Sequence, residues 1–198
     1  MSREAWRKLF DHEVVRYTDQ YTRTGDFFGF FSVPRFDVAG KCGDIINSYA
    51  QGKPCLDVGC GAYHRPIYMH KDALFYGIDP DYGILKRDFP FVQAMGEELP
   101  FRSSYFACVT MMSILDHALD PDRMLSEAYR VLIPDGYLFI WYRNENARAG
   151  EHLHFFNFAK VAGMLTAHHF SVVEQIYFDR NPLAGYPDTV LAIGKKVQ

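Results

Sequence analysis

Two carboxylates and two glycines in the first half of the chain have the types and spacing to hold a nucleoside. Residues 55–66 read Cys-Leu-Asp-Val-Gly-Cys-Gly-Ala-Tyr-His-Arg-Pro, an apolar run carrying Asp57 and then Gly59, Cys60 and Gly61. A buried parallel strand looks like this when it stops in a sharp turn that lets a ligand approach the backbone. Glycine tolerates positive φ there and has no Cβ to obstruct the ligand. Residues 73–79 (Ala-Leu-Phe-Tyr-Gly-Ile-Asp) read as a second strand ending in Asp79, eighteen residues after Gly61. The turn offers backbone to one end of a nucleoside, and the strand-tip acid offers a carboxylate to the ribose hydroxyls.

Dinucleotide binders place a third glycine three residues after the second, where it lets a helix pack close under the pyrophosphate. That position is His64 here, so the dinucleotide pattern fails. The order acid-x-Gly-x-Gly instead resembles the first motif of class I S-adenosylmethionine-dependent methyltransferases, with Tyr63 where that family usually has its third glycine. The resemblance continues through Glu97-Glu98-Leu99-Pro100-Phe101, through Leu115-Asp116-His117 with Asp120-Pro121, and through the turn Pro134-Asp135-Gly136. Two further departures stand at Met95, where the family often has an aspartate for the adenine, and at Asp135, where it has glycine. The matches span residues 55–142 in the family's order.

The elements that must position these residues follow from periodicity. Residues 1–24 carry Trp6, Leu9, Phe10, Val14 and Tyr17 at approximately helical spacing, and the aromatic cluster 27–31 follows. Residues 40–51 read as a short helix, ended by Gly52 and Pro54. Pro66 is tolerable only in a first turn, which leaves room for at most two turns of helix over 66–70. Strands are expected over 104–112, 137–142, 170–178 and 189–194, the last two as an edge hairpin. Helices are expected over 122–132 and 156–167. The resemblance implies an α/β, Rossmann-like three-layer sandwich. Its seven-stranded sheet is mostly parallel with the last strand antiparallel, and an N-terminal helical cap is added. The chain reads as a single domain, residues 1–50 forming the cap segment and 51–198 the core.

The 198 residues suffice to bury a core, and no low-complexity tract interrupts them. A net charge of −3 gives no electrostatic footprint for nucleic acid or anionic membrane. The four cysteines form no C-x-x-C pair, and no run of about 18 apolar residues occurs, so a soluble cytoplasmic protein is expected.

By resemblance, Asp57, Gly59, Cys60 and Gly61 surround the methionine end of S-adenosylmethionine, and Asp79 takes the ribose. Met95 and Gly96 flank adenine, while carbonyls near Met112 and Ser113 face the methionine amine. The reaction is in-line attack on the sulfonium methyl, so alignment dominates, and the product is S-adenosylhomocysteine. His117 is the candidate base for an acceptor that must lose a proton. Phe27, Phe28, Tyr63, His64, His152 and His154 are candidates for the acceptor pocket. His152 and His154 at i, i+2 could ligate a metal together with Asp116, but no third ligand adjoins them in sequence, and no metal is expected.

No Asn/Asp-Pro-Pro-aromatic motif and no Pro-Cys nucleophile follow the fourth strand. Within the resembled family this argues against amide, exocyclic adenine and cytosine-C5 methylation. The expected partner is a small-molecule methyl acceptor, with no nucleic acid and no membrane. Two alternatives stand beside it: a catalytically weak relative that serves as a partner-binding subunit, and a methyltransferase of RNA or protein.

Overall fold

The computed structural model describes residues 2, 4–5, 7–8, 34–61, 65–66, 68–80, 86–145, 152–178 and 188–197. The N-terminal helix and the aromatic cluster 27–31 expected above lie outside these residues, apart from the few positions before residue 9. Pro34–Ala50 forms α1, Cys55–Val58 β1, Phe75–Asp79 β2, Phe91–Gln93 β3 and Phe106–Met112 β4. Pro121–Val131 forms α2, Leu132–Arg143 β5, Phe158–Ala167 α3, Phe170–Phe178 β6 and Thr189–Lys196 β7.

The seven strands lie in the order β3-β2-β1-β4-β5-β7-β6. Pairing is parallel from β3 through β5, and β7 is inserted antiparallel to both β5 and β6. The alternation of strand residues sorts the core into two faces. Leu56, Val109, Leu138 and Ile140 pack with Met124, Leu125 and Ala128 of α2 and with Val161 and Leu165 of α3. Cys55, Cys108, Phe139 and Trp141 face the other way, onto Cys42, Ile46 and Ala50 of α1. Helices therefore cover both faces of the sheet, the three-layer sandwich that the resemblance implies.

Three local expectations are corrected. Helix α1 begins at Pro34 rather than at residue 40, because proline's fixed φ suits a first turn. Gly43 inside α1 is a packing residue: a Cβ there would lie 2.9 Å from the Tyr68 carbonyl oxygen. The Met69 N–H donates to the Pro66 carbonyl at 2.9 Å, and no helix is found among the described residues of 66–70. Strand β5 begins at Leu132, not at 137, and runs through an irregularity. Its register jumps from Phe106↔Leu132 to Cys108↔Tyr137 across Pro134-Asp135-Gly136. Asp135 adopts the positive φ of 62° that this demands, and its carboxylate pairs with Lys195 at 2.8 Å.

Candidate functional site

Parallel strands β1, β2 and β4 end side by side, and the polar residues singled out in the sequence gather at those carboxyl ends. Gly59 and Gly61 have φ of +77° and +67°, which turns the chain sharply off β1. The N–H groups of Gly59 and Cys60 both donate to the Ile78 carbonyl, at 2.9 and 3.0 Å, tying the turn to the end of β2. Gly61 N–H donates to Asp79 Oδ2 at 2.9 Å, while its carbonyl accepts from Arg87 Nη2 at 2.7 Å. The Arg87 guanidinium in turn lies 3.7 Å from the centroid of the Phe91 ring, so it is stacked as well as bonded. The acid at the tip of β2 and the glycine turn after β1 thus form one hydrogen-bonded unit.

Asp57 is fully buried. Thr110 Oγ1, on the neighbouring strand β4, donates to its Oδ1 at 2.5 Å, and the Tyr68 hydroxyl donates to Oδ2 at 2.9 Å. Burial pushes this carboxyl up to about 7, against the pull of the two hydroxyls and with a further push from the Asp79 charge. Thr110 and Tyr68 are partners the sequence reading missed, because each comes from a separate element. Cys60 is also buried, its sulfur packed in the α1-side core near Gly77 and donating to the Gly61 carbonyl at 3.7 Å.

After β3, Ala94 N–H donates to the Asp79 carbonyl, which brings Met95 beside the tip of β2. Gly96 has no room for a side chain, since a Cβ would meet Met124 Cε at 2.6 Å and Val58 Cγ1 at 2.8 Å. Glu97 is buried, and its Oε1 accepts from the Leu119 and Asp120 amides at 2.9 and 3.2 Å. Glu127 accepts from Leu99 N–H at 2.8 Å, and Arg130 donates to the carbonyls of Leu99 and Phe101. The Glu-Glu-Leu-Pro-Phe segment is therefore bonded onto α2 and the loop before it.

Beyond β4, Met112 is buried, Ser113 takes a positive φ of 57°, and its N–H donates to the Trp141 carbonyl. The segment then closes a short 3₁₀ turn, Leu115–His117. The Asp116 carbonyl accepts from the amides of Leu153 and His154, at 2.8 and 3.2 Å, which ties the segment after β5 to the segment after β4. That clamp sets His152 Nδ1 3.1 Å from Asp116 Oδ2, with His117 Nε2 3.9 Å from Oδ1. The two imidazoles meet edge to face, centroids 4.8 Å apart. Desolvation lowers the His152 pKa, against the raising effect of Asp116. His154 turns away from this cluster and donates from Nε2 to the Ala118 carbonyl at 3.0 Å. The structure thus separates the i, i+2 pair and brings His117 together with His152 instead. Phe27, Phe28, Tyr63 and His64 lie outside the described residues.

The donor set suits a nucleoside-bearing cofactor. A carboxylate at a strand tip faces a positive-φ glycine turn at the carboxyl ends of parallel strands, where open α/β sheets bind their ligands. Residues 56–140 match the family described as a methyltransferase domain. Among curated relatives, the Serratia proteamaculans ubiquinone/menaquinone biosynthesis C-methyltransferase UbiE is 42% identical over 106 residues, 52% of this chain and 40% of that protein. The ubiquinone biosynthesis O-methyltransferase of Paracidovorax citrulli is 33% identical over 115 residues, 50% of this chain and 47% of that protein. The chain thus spans less than half the length of either curated relative. In fold, the chain is similar to the Burkholderia thailandensis 1,6-didemethyltoxoflavin-N1-methyltransferase, whose crystal structure has 1,6-didemethyltoxoflavin and S-adenosylhomocysteine bound. The TM-score is 0.76 at 16% identity, over 100% of this chain and 92% of that one.

Proposed function

We propose that the chain is a class I S-adenosylmethionine-dependent methyltransferase that methylates a small organic acceptor and releases S-adenosylhomocysteine. The observation that carries this reading is the Asp79–Gly61 unit, with the Asp116–His117–His152 cluster beyond the neighbouring strand end. The cofactor, when bound, supplies an electrophilic methyl on a sulfonium. Asp79 accepts from the ribose hydroxyls, and the turn of Gly59, Cys60 and Gly61 offers backbone to the methionine end. Met95 and the Gly96 backbone flank the adenine, and carbonyls at Met112 and Ser113 face the methionine amine. Asp57 supports the same end from within, since its two hydroxyl partners hold β1 against β4 and against residue 68.

The acceptor's proton leaves into the cluster that contains His117, with His152 on the same carboxylate. Phe27, Phe28, Tyr63, His64 and His154 complete the acceptor side, with the residues before α1 as a cap, α1 itself being packed into the core, and the chain acting as one domain. A small-molecule acceptor is supported by the quinone-biosynthesis and toxoflavin enzymes that this chain resembles. No helix among the described residues is long and apolar enough to cross a membrane, and the four cysteines are free and buried. A cytoplasmic location accords with both.

Calorimetric titration of the full chain with S-adenosylmethionine and S-adenosylhomocysteine tests the reading. Saturable binding of both supports it. A folded chain that binds neither is a partner-binding relative, and the proposal falls.

A further inference from the structure

We propose that Asp116, His117 and His152 form a binding site for a first-row divalent transition-metal ion, facing the acceptor side of the cleft. The three side chains come from two segments far apart in sequence, yet their donor atoms all lie within 4.8 Å of one another. A divalent ion such as zinc holds imidazole nitrogen and carboxylate oxygen at about 2.0–2.2 Å, so donors around one ion stand roughly 3–4 Å apart. The carboxylate here stands 3.1 Å from His152 Nδ1 and 3.9 Å from His117 Nε2. A small closure between the two imidazoles completes the triangle.

The arrangement is held by backbone rather than by loose side chains. The Asp116 carbonyl accepts from the amides of Leu153 and His154, and the His154 ring donates from Nε2 to the Ala118 carbonyl. These bonds fix the His152 main chain against the 3₁₀ turn whether or not an ion is bound. All three ligand side chains are largely sheltered, between 13% and 25% exposed, and yet none is sealed from solvent. The nearby Arg143 is matched by Glu145 at 3.9 Å, so its charge is partly offset. Two imidazoles and one carboxylate favour zinc, cobalt or nickel over magnesium and calcium, which prefer all-oxygen shells.

Three protein ligands leave open coordination positions, as in catalytic rather than structural sites. The location says what would fill them. Ile114, just before the turn, packs on Gly59 at the opening of the cleft, and the cluster follows directly. An oxygen or nitrogen of the methyl acceptor would be held there, next to the cofactor. This role rests on the methyl-transfer reading, and His117 would then serve as a ligand that holds the ion rather than as a free base.

The test is titration of the chelator-stripped full chain with Co²⁺, read by visible d–d absorption and by calorimetry, alongside a separate S-adenosylhomocysteine titration. The expected result is saturation at a single equivalent. His152→Ala and Asp116→Asn should each weaken Co²⁺ binding by at least about tenfold. His70→Ala should not, although it removes another histidine–aspartate pair, His70–Asp44 at 3.3 Å. If Asp116→Asn fails to fold, His117→Gln, at a quarter-exposed side chain, carries the same expectation. No Co²⁺ uptake, or uptake indifferent to His152 and His117, would overturn the site and leave Asp116–His152 as a hydrogen-bonded pair. S-adenosylhomocysteine binding without Co²⁺ uptake removes only the ion site. Co²⁺ uptake with the expected variant losses but no cofactor binding supports the ion site and removes the methyl-transfer reading.

Discussion

A Cβ placed on Gly59 would stand 2.5 Å from Ile114 Cγ2, so the turn after β1 and the segment after β4 are packed to backbone distance. This contact joins the cofactor end of the cleft to the segment that carries Asp116 and His117. It also makes Gly59 doubly constrained, by its φ of +77° and by the absence of space.

Gly59→Ala should therefore cost about 2–4 kcal/mol of stability, from the strained φ and the overpacking together. Denaturant unfolding measures it. A midpoint equal to that of the unaltered chain would show that Ile114 yields freely.

Asp57 predicts an unusual pH dependence. Its carboxyl is raised from 3.8 to about 7 by burial, so the folded state binds its proton more tightly than the unfolded state does. The associated stability is present below about pH 4 and is lost as pH rises through about 7. Asp57→Asn, a neutral isostere, removes that loss. Its stability relative to the unaltered chain should rise between pH 5 and pH 8 in thermal melts. A constant difference over that range would show that Asp57 is ionised in the fold throughout.

Much of this architecture could be read from the chain. Apolar runs closed by Asp57 and Asp79 marked adjacent parallel strands, and two late strands around a turn-rich loop marked the β6–β7 hairpin. The start of the first helix was less legible. Residues 40–51 read as that helix, whereas α1 begins six residues earlier at Pro34, and Gly43 inside it meets the Tyr68 backbone. Pro134-Asp135-Gly136 read as a turn before β5, but it is an irregularity inside the strand. Side-chain partnerships were the least legible part. Asp57 with Tyr68 and Thr110, and His117 with His152, depend on how separate elements meet, and no local spacing encodes that.

Glu97 is a case where a family motif has a structural task. Its Oε1 takes two backbone amides from the loop before α2. Glu97→Ala strands both and should cost about 2 kcal/mol, while Glu97→Gln, which keeps an acceptor oxygen, should restore most of it. Equal losses in the two variants, by chemical denaturation, would mean that charge rather than the acceptor oxygen matters.

Removal of residues 1–33, upstream of α1, should abolish turnover on an acceptor and leave measurable affinity for S-adenosylhomocysteine. Full turnover by the shortened chain would refute the cap.

The most direct measurement is S-adenosylhomocysteine affinity in Asp79→Ala and Asp79→Asn beside the unaltered chain. Asp79 is proposed to hold the ribose with an ionised carboxylate while Oδ2 keeps the Gly61 amide. Asp79→Ala should weaken binding by about 1–3 kcal/mol, since it removes charge-assisted hydrogen bonds. Asp79→Asn should fall between, because it retains an acceptor oxygen for Gly61 but loses the charge. Calorimetry on variants shown by circular dichroism to be folded gives the answer. Affinities unchanged in both variants, or no binding by the unaltered chain, would contradict the account.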